Sequence, residues 1–193
     1  MEKRNGKIQI YTGDGKGKTT ASLGLSLRAI GAGKKVAIVQ FMKKPNYSEH
    51  KAIKKYKLPI KVFTFGIGFY KIMGDKHAPE EHYQANLRAL KKAKKIIDSK
   101  KYDLIILDEI LNAINRDLGE FTQGIINPGF ELLDENLVID ELGLDKNDFD
   151  IDIVLTGRSL PPKLKKIADL VTEMKPIKHY FDKGLQARQG IEY

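Results

Sequence analysis

The stretch YTGDGKGKTTAS, Tyr11 to Ser22, constrains this chain more than any other. The alternating run KIQIYT (7–12) leads into it, and KTTASLGLSLRAIGAG (18–33) reads as a helix leaving it. Glycines at 13, 15 and 17 let backbone N–H groups turn toward one point with no side chain in the way. The helix start behind them adds the positive end of its dipole. A strand, a glycine turn and a helix in this order open a parallel α/β sheet.

The rest of the chain keeps that alternation. KKVAIVQF (34–41), IKVFTF (60–65), YDLIILDE (102–109), FDIDIVLTGR (149–158) and LVTEMKP (170–176) read as strands. Several are apolar in continuous runs, as strands buried on both faces are. HKAIKKYK (50–57), PEEHYQANLRALKKAKKIIDS (79–99) and PPKLKKIADL (161–170) read as helices, with Pro79 suited to a first turn. In the first helix Ala21, Leu23, Leu25, Leu27, Ala29 and Ile30 are expected to supply the apolar faces, with Gly31 and Gly33 ending it. The expected fold is a mostly parallel sheet with helices on both faces. Ligands bind such sheets at the carboxyl ends of their strands. Residues 115–148 are the least regular, with the turn signals NPG and DEN; they suggest a hairpin and a short helix beside the sheet.

Length and composition narrow the classes. A chain of 193 residues with 41% hydrophobic residues supports one compact domain, 1–193. The absence of cysteine excludes disulfides, thiolate metal sites and a cysteine nucleophile, and fits a reducing compartment. Neither a signal-peptide core nor an apolar run near the roughly 20 residues of a membrane span is visible, so the expectation is a cytoplasmic protein. The net charge of +9 favours anions. Lys91, Lys92, Lys94 and Lys95 read as a solvated helix face, since no aromatic stacking pattern accompanies them.

Three motifs carry chemistry, each where a strand ends. Thr12 to Thr19 follows the phosphate-loop pattern G-x-x-x-x-G-K-[ST], with Thr12 in place of the first glycine. Gly13, Asp14, Gly15, Lys16, Gly17, Lys18, Thr19 and Thr20 are the candidate phosphate contacts. Lys18 supplies charge and Thr19 a hydroxyl for Mg²⁺. Asp108 and Glu109 end an apolar strand, which is where a phosphate-loop protein holds Mg²⁺. Glu109 suits either a general base for water or a metal ligand. Arg158, just past the fifth strand, can clamp a phosphate bidentately.

Taken together, YTGDGKGKTTAS, VAIVQFMK, LIILDEI, VLTGR and ADLVTEMKPIKHYFDKGLQARQGIEY resemble the P-loop type of ATP:corrinoid adenosyltransferase, in the same order and over most of the chain. The closing segment is the discriminating one. The resemblance implies a RecA-like fold, a homodimer, and transfer of the 5′-deoxyadenosyl group of ATP to the Co(I) of a corrinoid, cobalamin or cobyrinic acid a,c-diamide, with release of triphosphate. That reaction belongs to cobalamin biosynthesis or salvage. It implies Lys18, Thr19, Glu109 and Arg158 as catalytic residues. Thr19 and Glu109 would be Mg²⁺ ligands, with Asp108 bound directly or through an intervening group. Electrons would come from an external reductant of flavoprotein type. Phe69 matches the aromatic loop that covers the corrinoid's lower face; where relatives carry G-F-T-W, this chain has Gly68-Phe69-Tyr70-Lys71 and no tryptophan anywhere, so Lys71 stands at the tryptophan's place and Tyr70 is the expected substitute. Residues 116–136 look like an insertion. Two other readings use the same motifs: a RecA-like ATPase stimulated by nucleic acid, and a nucleotide-binding module without chemistry.

Overall fold

A computed structural model describes residues 6–68, 75–114, 133–146 and 149–193. Its sheet is built from β1 (Ile8–Thr12), β2 (Val36–Gln40), β3 (Ile60–Thr64), β4 (Leu104–Asp108), β5 (Asp152–Thr156) and β6 (Leu170–Glu173). The order is β3-β2-β4-β5-β1-β6, and every pairing is parallel. The helices are α1 (Lys18–Gly31), α2 (Ser48–Lys55), α3 (Pro79–Asp98), α4 (Glu135–Leu142) and α5 (Pro162–Ile167).

Alternation along the strands sorts their side chains into two cores. Ala37, Val39, Ile105, Leu107, Ile153 and Leu155 pack with residues of α3 and α4, among them Ala89, Leu90, Ala93, Val138 and Leu142. Val36, Ile38, Leu104, Ile106 and Val154 face the other way, toward Leu25, Ala29 and Ile30 of α1 and Ile53 of α2. Each fully buried aliphatic side chain contributes about 1.5–3 kcal/mol by leaving water. Burial on both faces explains why β2 and β4 read as unbroken apolar runs.

The register brings three pairs of strand-end residues to one edge. Gln40 pairs with Asp108, Tyr11 with Thr156, and Thr12 with Glu173. The carboxyl ends of β1, β2, β4 and β5 therefore finish level, below the start of α1.

Two local expectations are corrected. In α1 the buried positions are Lys18, Ser22, Ser26 and Ala29, whereas Leu27 is exposed. The small serines let the helix lie close to the sheet. Their hydroxyls are satisfied within the helix, Ser22 Oγ donating to Thr19 O at 2.8 Å and Ser26 Oγ to Ser22 O at 3.0 Å. The fifth helix stops at Ile167 instead of running to Leu170. Asp169 has turned to accept the Ile8 N–H at 2.8 Å, which starts β6 beside β1.

Within 115–148, the expected short helix is α4. Asp134 caps it, accepting from the N–H groups of Asn136 and Leu137, and Gly143 at φ 68° ends it. The expected hairpin falls on 115–132, outside the described residues. Leu133 bridges back to Ile114. Among the described residues no helix is long and apolar enough to cross a membrane.

Candidate active site

The glycine loop wraps the start of α1. Gly13 and Gly17 have φ of 95° and 125°, a region that side chains disfavour. Thr12, by contrast, is the last residue of β1, paired with Glu173 in extended backbone. The first position of the loop therefore needs no glycine here. A Cβ on Gly15 would lie 2.6 Å from Met174 O, so only glycine fits where the residue after β6 buttresses the loop. Met174 N donates to Thr12 O at 2.8 Å, and Gly15 N donates to Met174 O at 2.7 Å. One loop amide is thus spent on structure. Gly17 gives α1 no side-chain cap and its first turn carries no acid, which leaves the helix start suited to an anion.

Lys18 folds over this loop, with Nζ 2.6 Å from Gly13 O and 2.8 Å from Gly15 O. Burial lowers its pKa, with Glu109 pulling the other way. Lys16 points outward to the tail, to Tyr180 Oη at 3.0 Å and Glu192 Oε1 at 2.9 Å. Asp14 lies 3.6 Å from Arg158 Nη1, both side chains being exposed. Thr20 is exposed on the first turn of α1.

Asp108, 1% exposed, is the hub. Its Oδ1 accepts from Thr19 Oγ1 and from Thr156 Oγ1, each at 2.8 Å. Its Oδ2 accepts from Gln40 Nε2 at 3.2 Å and from Lys43 Nζ at 3.0 Å. Behind Gln40, its Oε1 accepts from His50 Nε2 at 2.6 Å and Thr64 Oγ1 at 3.2 Å. His50 Nδ1 accepts from the backbone of Asn46 and Tyr47, which assigns the neutral tautomer protonated at Nε2; burial lowers its pKa and favours that form. Burial alone would lower the Lys43 ammonium, but the charges of Asp108 and Glu109 outweigh it and raise its pKa.

Glu109 sits at φ 63°, turning the chain out of β4. Its N–H donates to Thr156 Oγ1 at 2.9 Å, and Asn112 Nδ2 donates to its Oε2. Asn112 Oδ1 accepts the Arg158 N–H at 2.7 Å, joining the turns after β4 and β5. Gly157 permits that approach, since a Cβ there would lie 2.7 Å from Leu111 Cβ. Burial, and then the Asp108 charge, raise the Glu109 pKa from 4.5 to about 7.

The structure therefore brings Lys18, Thr19, Asp108, Glu109 and Arg158 to one edge. Phe69 and Tyr70 lie outside the described residues. Sequence reasoning missed the roles of Gln40, Lys43, His50 and Asn112. The polar end of the apolar run VAIVQFMK was the available signal for Gln40 and Lys43. No signal marked His50 or Asn112.

A parallel sheet with a glycine loop at one strand end and a buried acid two strands away defines a P-loop α/β protein. The family model described as ATP:corrinoid adenosyltransferase BtuR/CobO/CobP matches residues 4–193. The corrinoid adenosyltransferase of Escherichia coli K12 is 30% identical over 97% of this chain and 86% of its own length. That of a Sinorhizobium species is 33% identical over 97% and 80%. Corrinoid adenosyltransferase CobA of Salmonella typhimurium is 28% identical over 100% and 88%. The flagellar accessory protein FlaH of Methanocaldococcus jannaschii is similar in fold alone, with a TM-score of 0.52, 13% identity, and coverage of 88% of this chain and 71% of that one. The chain belongs to the ATP:corrinoid adenosyltransferase family, a family of transferases. That membership favours group transfer over the ATPase and non-catalytic readings.

Proposed function

We propose that this chain, as a single domain, transfers the 5′-deoxyadenosyl group of ATP to the Co(I) of a corrinoid substrate and releases inorganic triphosphate. The cobalt's electron pair forms the bond to C5′ of the ribose, and the C5′–O bond breaks with its pair going to the triphosphate. Positive charge is needed where the triphosphate leaves. Lys18 lies against Gly13 O and Gly15 O, Arg158 lies beside Asp14 of the same loop, and the start of α1 adds its dipole.

The observation that carries this reading is the match of residues 4–193 to the family model. Asn112 donates to Glu109 Oε2 and Thr156 fixes its backbone, which orients the carboxylate. Cobalt carries no proton to remove, so a restrained carboxylate is sufficient. The oxygens of Thr19, Asp108 and Glu109 suit a hard divalent cation, and they would hold Mg²⁺. When bound, Mg²⁺ would add positive charge against the departing phosphate oxygens.

The same reading takes electrons from an external reductant of flavoprotein type, since the chain has no cysteine, and assigns the protein to the cytoplasm. It also takes a homodimer as the working form. Ile177, Phe181, Leu185 and Ile191 are exposed apolar residues in one terminal segment, which is consistent with a covered face. Phe69 and Tyr70 are proposed against the corrinoid, and 116–136 as an insertion.

Incubation with Mg·ATP and chemically reduced cobalamin tests the reaction. Triphosphate and a light-sensitive Co–C bond are the expected products. ADP and orthophosphate, increased by DNA or RNA, would overturn it.

A further inference from the structure

Asp108 accepts four hydrogen bonds, and three come from rigid elements. Thr156 and Gln40 end β5 and β2, and Thr19 opens α1. The fourth donor, Lys43, follows β2 and reaches in on a flexible four-carbon stem. Its ammonium lies 3.0 Å from Asp108 Oδ2 and 3.0 Å from Thr19 Oγ1, with Glu49 Oε1 at 3.7 Å. The side chain is 11% exposed. A positive charge therefore stands between Thr19 and Asp108, two of the three residues assigned to a divalent ion. The Thr19 hydroxyl hydrogen is committed to Asp108, so Lys43 takes an oxygen lone pair that a metal would need.

We propose that Lys43 is a built-in counter-cation, holding Thr19 and Asp108 until a divalent ion displaces it. This rests on the reading of Thr19 and Asp108 as a metal site. Two adjacent buried carboxylates, Asp108 and Glu109, repel each other unless a cation lies nearby. Lys43 supplies that cation from within the chain. It also has somewhere to go, because Glu49 and the Tyr47 ring, 5.8 Å from Nζ, lie on its outer side. The ammonium and the divalent ion exclude each other, since they need the same lone pairs and carry like charge.

Binding of Mn²⁺ alone, without nucleotide, is the test, with free Mn²⁺ followed by electron paramagnetic resonance. Lys43→Met and the milder Lys43→Gln should each bind Mn²⁺ about tenfold or more tightly than the wild type. Both should melt lower than the wild type without Mn²⁺ and recover with it. Adding Thr19→Val should remove the gain. Equal Mn²⁺ affinity in the wild type and both Lys43 variants, with Thr19→Val weakening all of them, overturns the competition and leaves the metal site standing. Mn²⁺ affinity indifferent to Thr19→Val overturns the metal site and the inference together.

Discussion

Thr156 Oγ1 donates to Asp108 Oδ1 at 2.8 Å and accepts the neighbouring Glu109 N–H at 2.9 Å. One hydroxyl thus orients both carboxylate-bearing residues, and it is fully buried. Thr156→Val keeps the shape and removes both bonds. The expected cost is about 2–4 kcal/mol, because a buried charge and a buried amide each lose a partner. The midpoint of denaturant unfolding measures it. A loss below about 0.5 kcal/mol would contradict the role given to the hydroxyl.

Glu109 gives stability an unusual pH dependence. Its carboxyl titrates at about 7 in the folded chain against an ordinary 4.5. Between those values the folded chain holds a proton that the unfolded chain has released. Stability therefore falls as pH rises from about 4.5 to about 7, by on the order of a few kcal/mol. Glu109→Gln should flatten that slope and raise the melting temperature at neutral pH, while lowering adenosyl transfer. Thermal melts from pH 4.5 to 8, compared with the wild type, decide it.

Glu192 clasps the terminal segment onto the loop. Arg188, Tyr180 and Lys16 hold its carboxyl well below the usual range. A depressed pKa stabilises the clasp above the ordinary carboxylate range and is lost as pH falls through the folded value. Glu192→Ala should free the segment at neutral pH. Limited proteolysis should then cut between 176 and 193 faster than in the wild type; equal rates would show that the clasp does not hold it.

Gly15→Ala would drive a Cβ to 2.6 Å from Met174 O. Either the loop or the strand end must move, at a cost of about 1–3 kcal/mol. ATP affinity should fall more than tenfold, as read by calorimetry. Unchanged affinity would mean that the loop can detach from Met174 without losing its ligand.

The sequence was most readable where periodicity and turn chemistry agree. Apolar runs such as VAIVQ and LIILD are buried on both faces, so they announced parallel strands. The glycine loop and the acid at the end of β4 stood out because their spacing is tied to one function. In α1 the expected apolar Leu27 is exposed, while Ser22 and Ser26 are buried by close approach to the sheet, which hydrophobicity does not register. Gln40, Lys43, His50 and Asn112 join a network spread over residues far apart in the chain, and only the sheet order brings them together.

The placement of β1 has a consequence for how the protein is made. Among the described residues β1 pairs with β5 and β6, and Met174 braces the glycine loop. A ribosome therefore delivers the loop early but its neighbours late. Until residues 152–174 have emerged, the nascent chain lacks the surface that shapes Gly13 to Thr19. Nucleotide capture is in effect a signal that synthesis has passed that point, and long-range closure of this kind favours slow final folding over early partial activity.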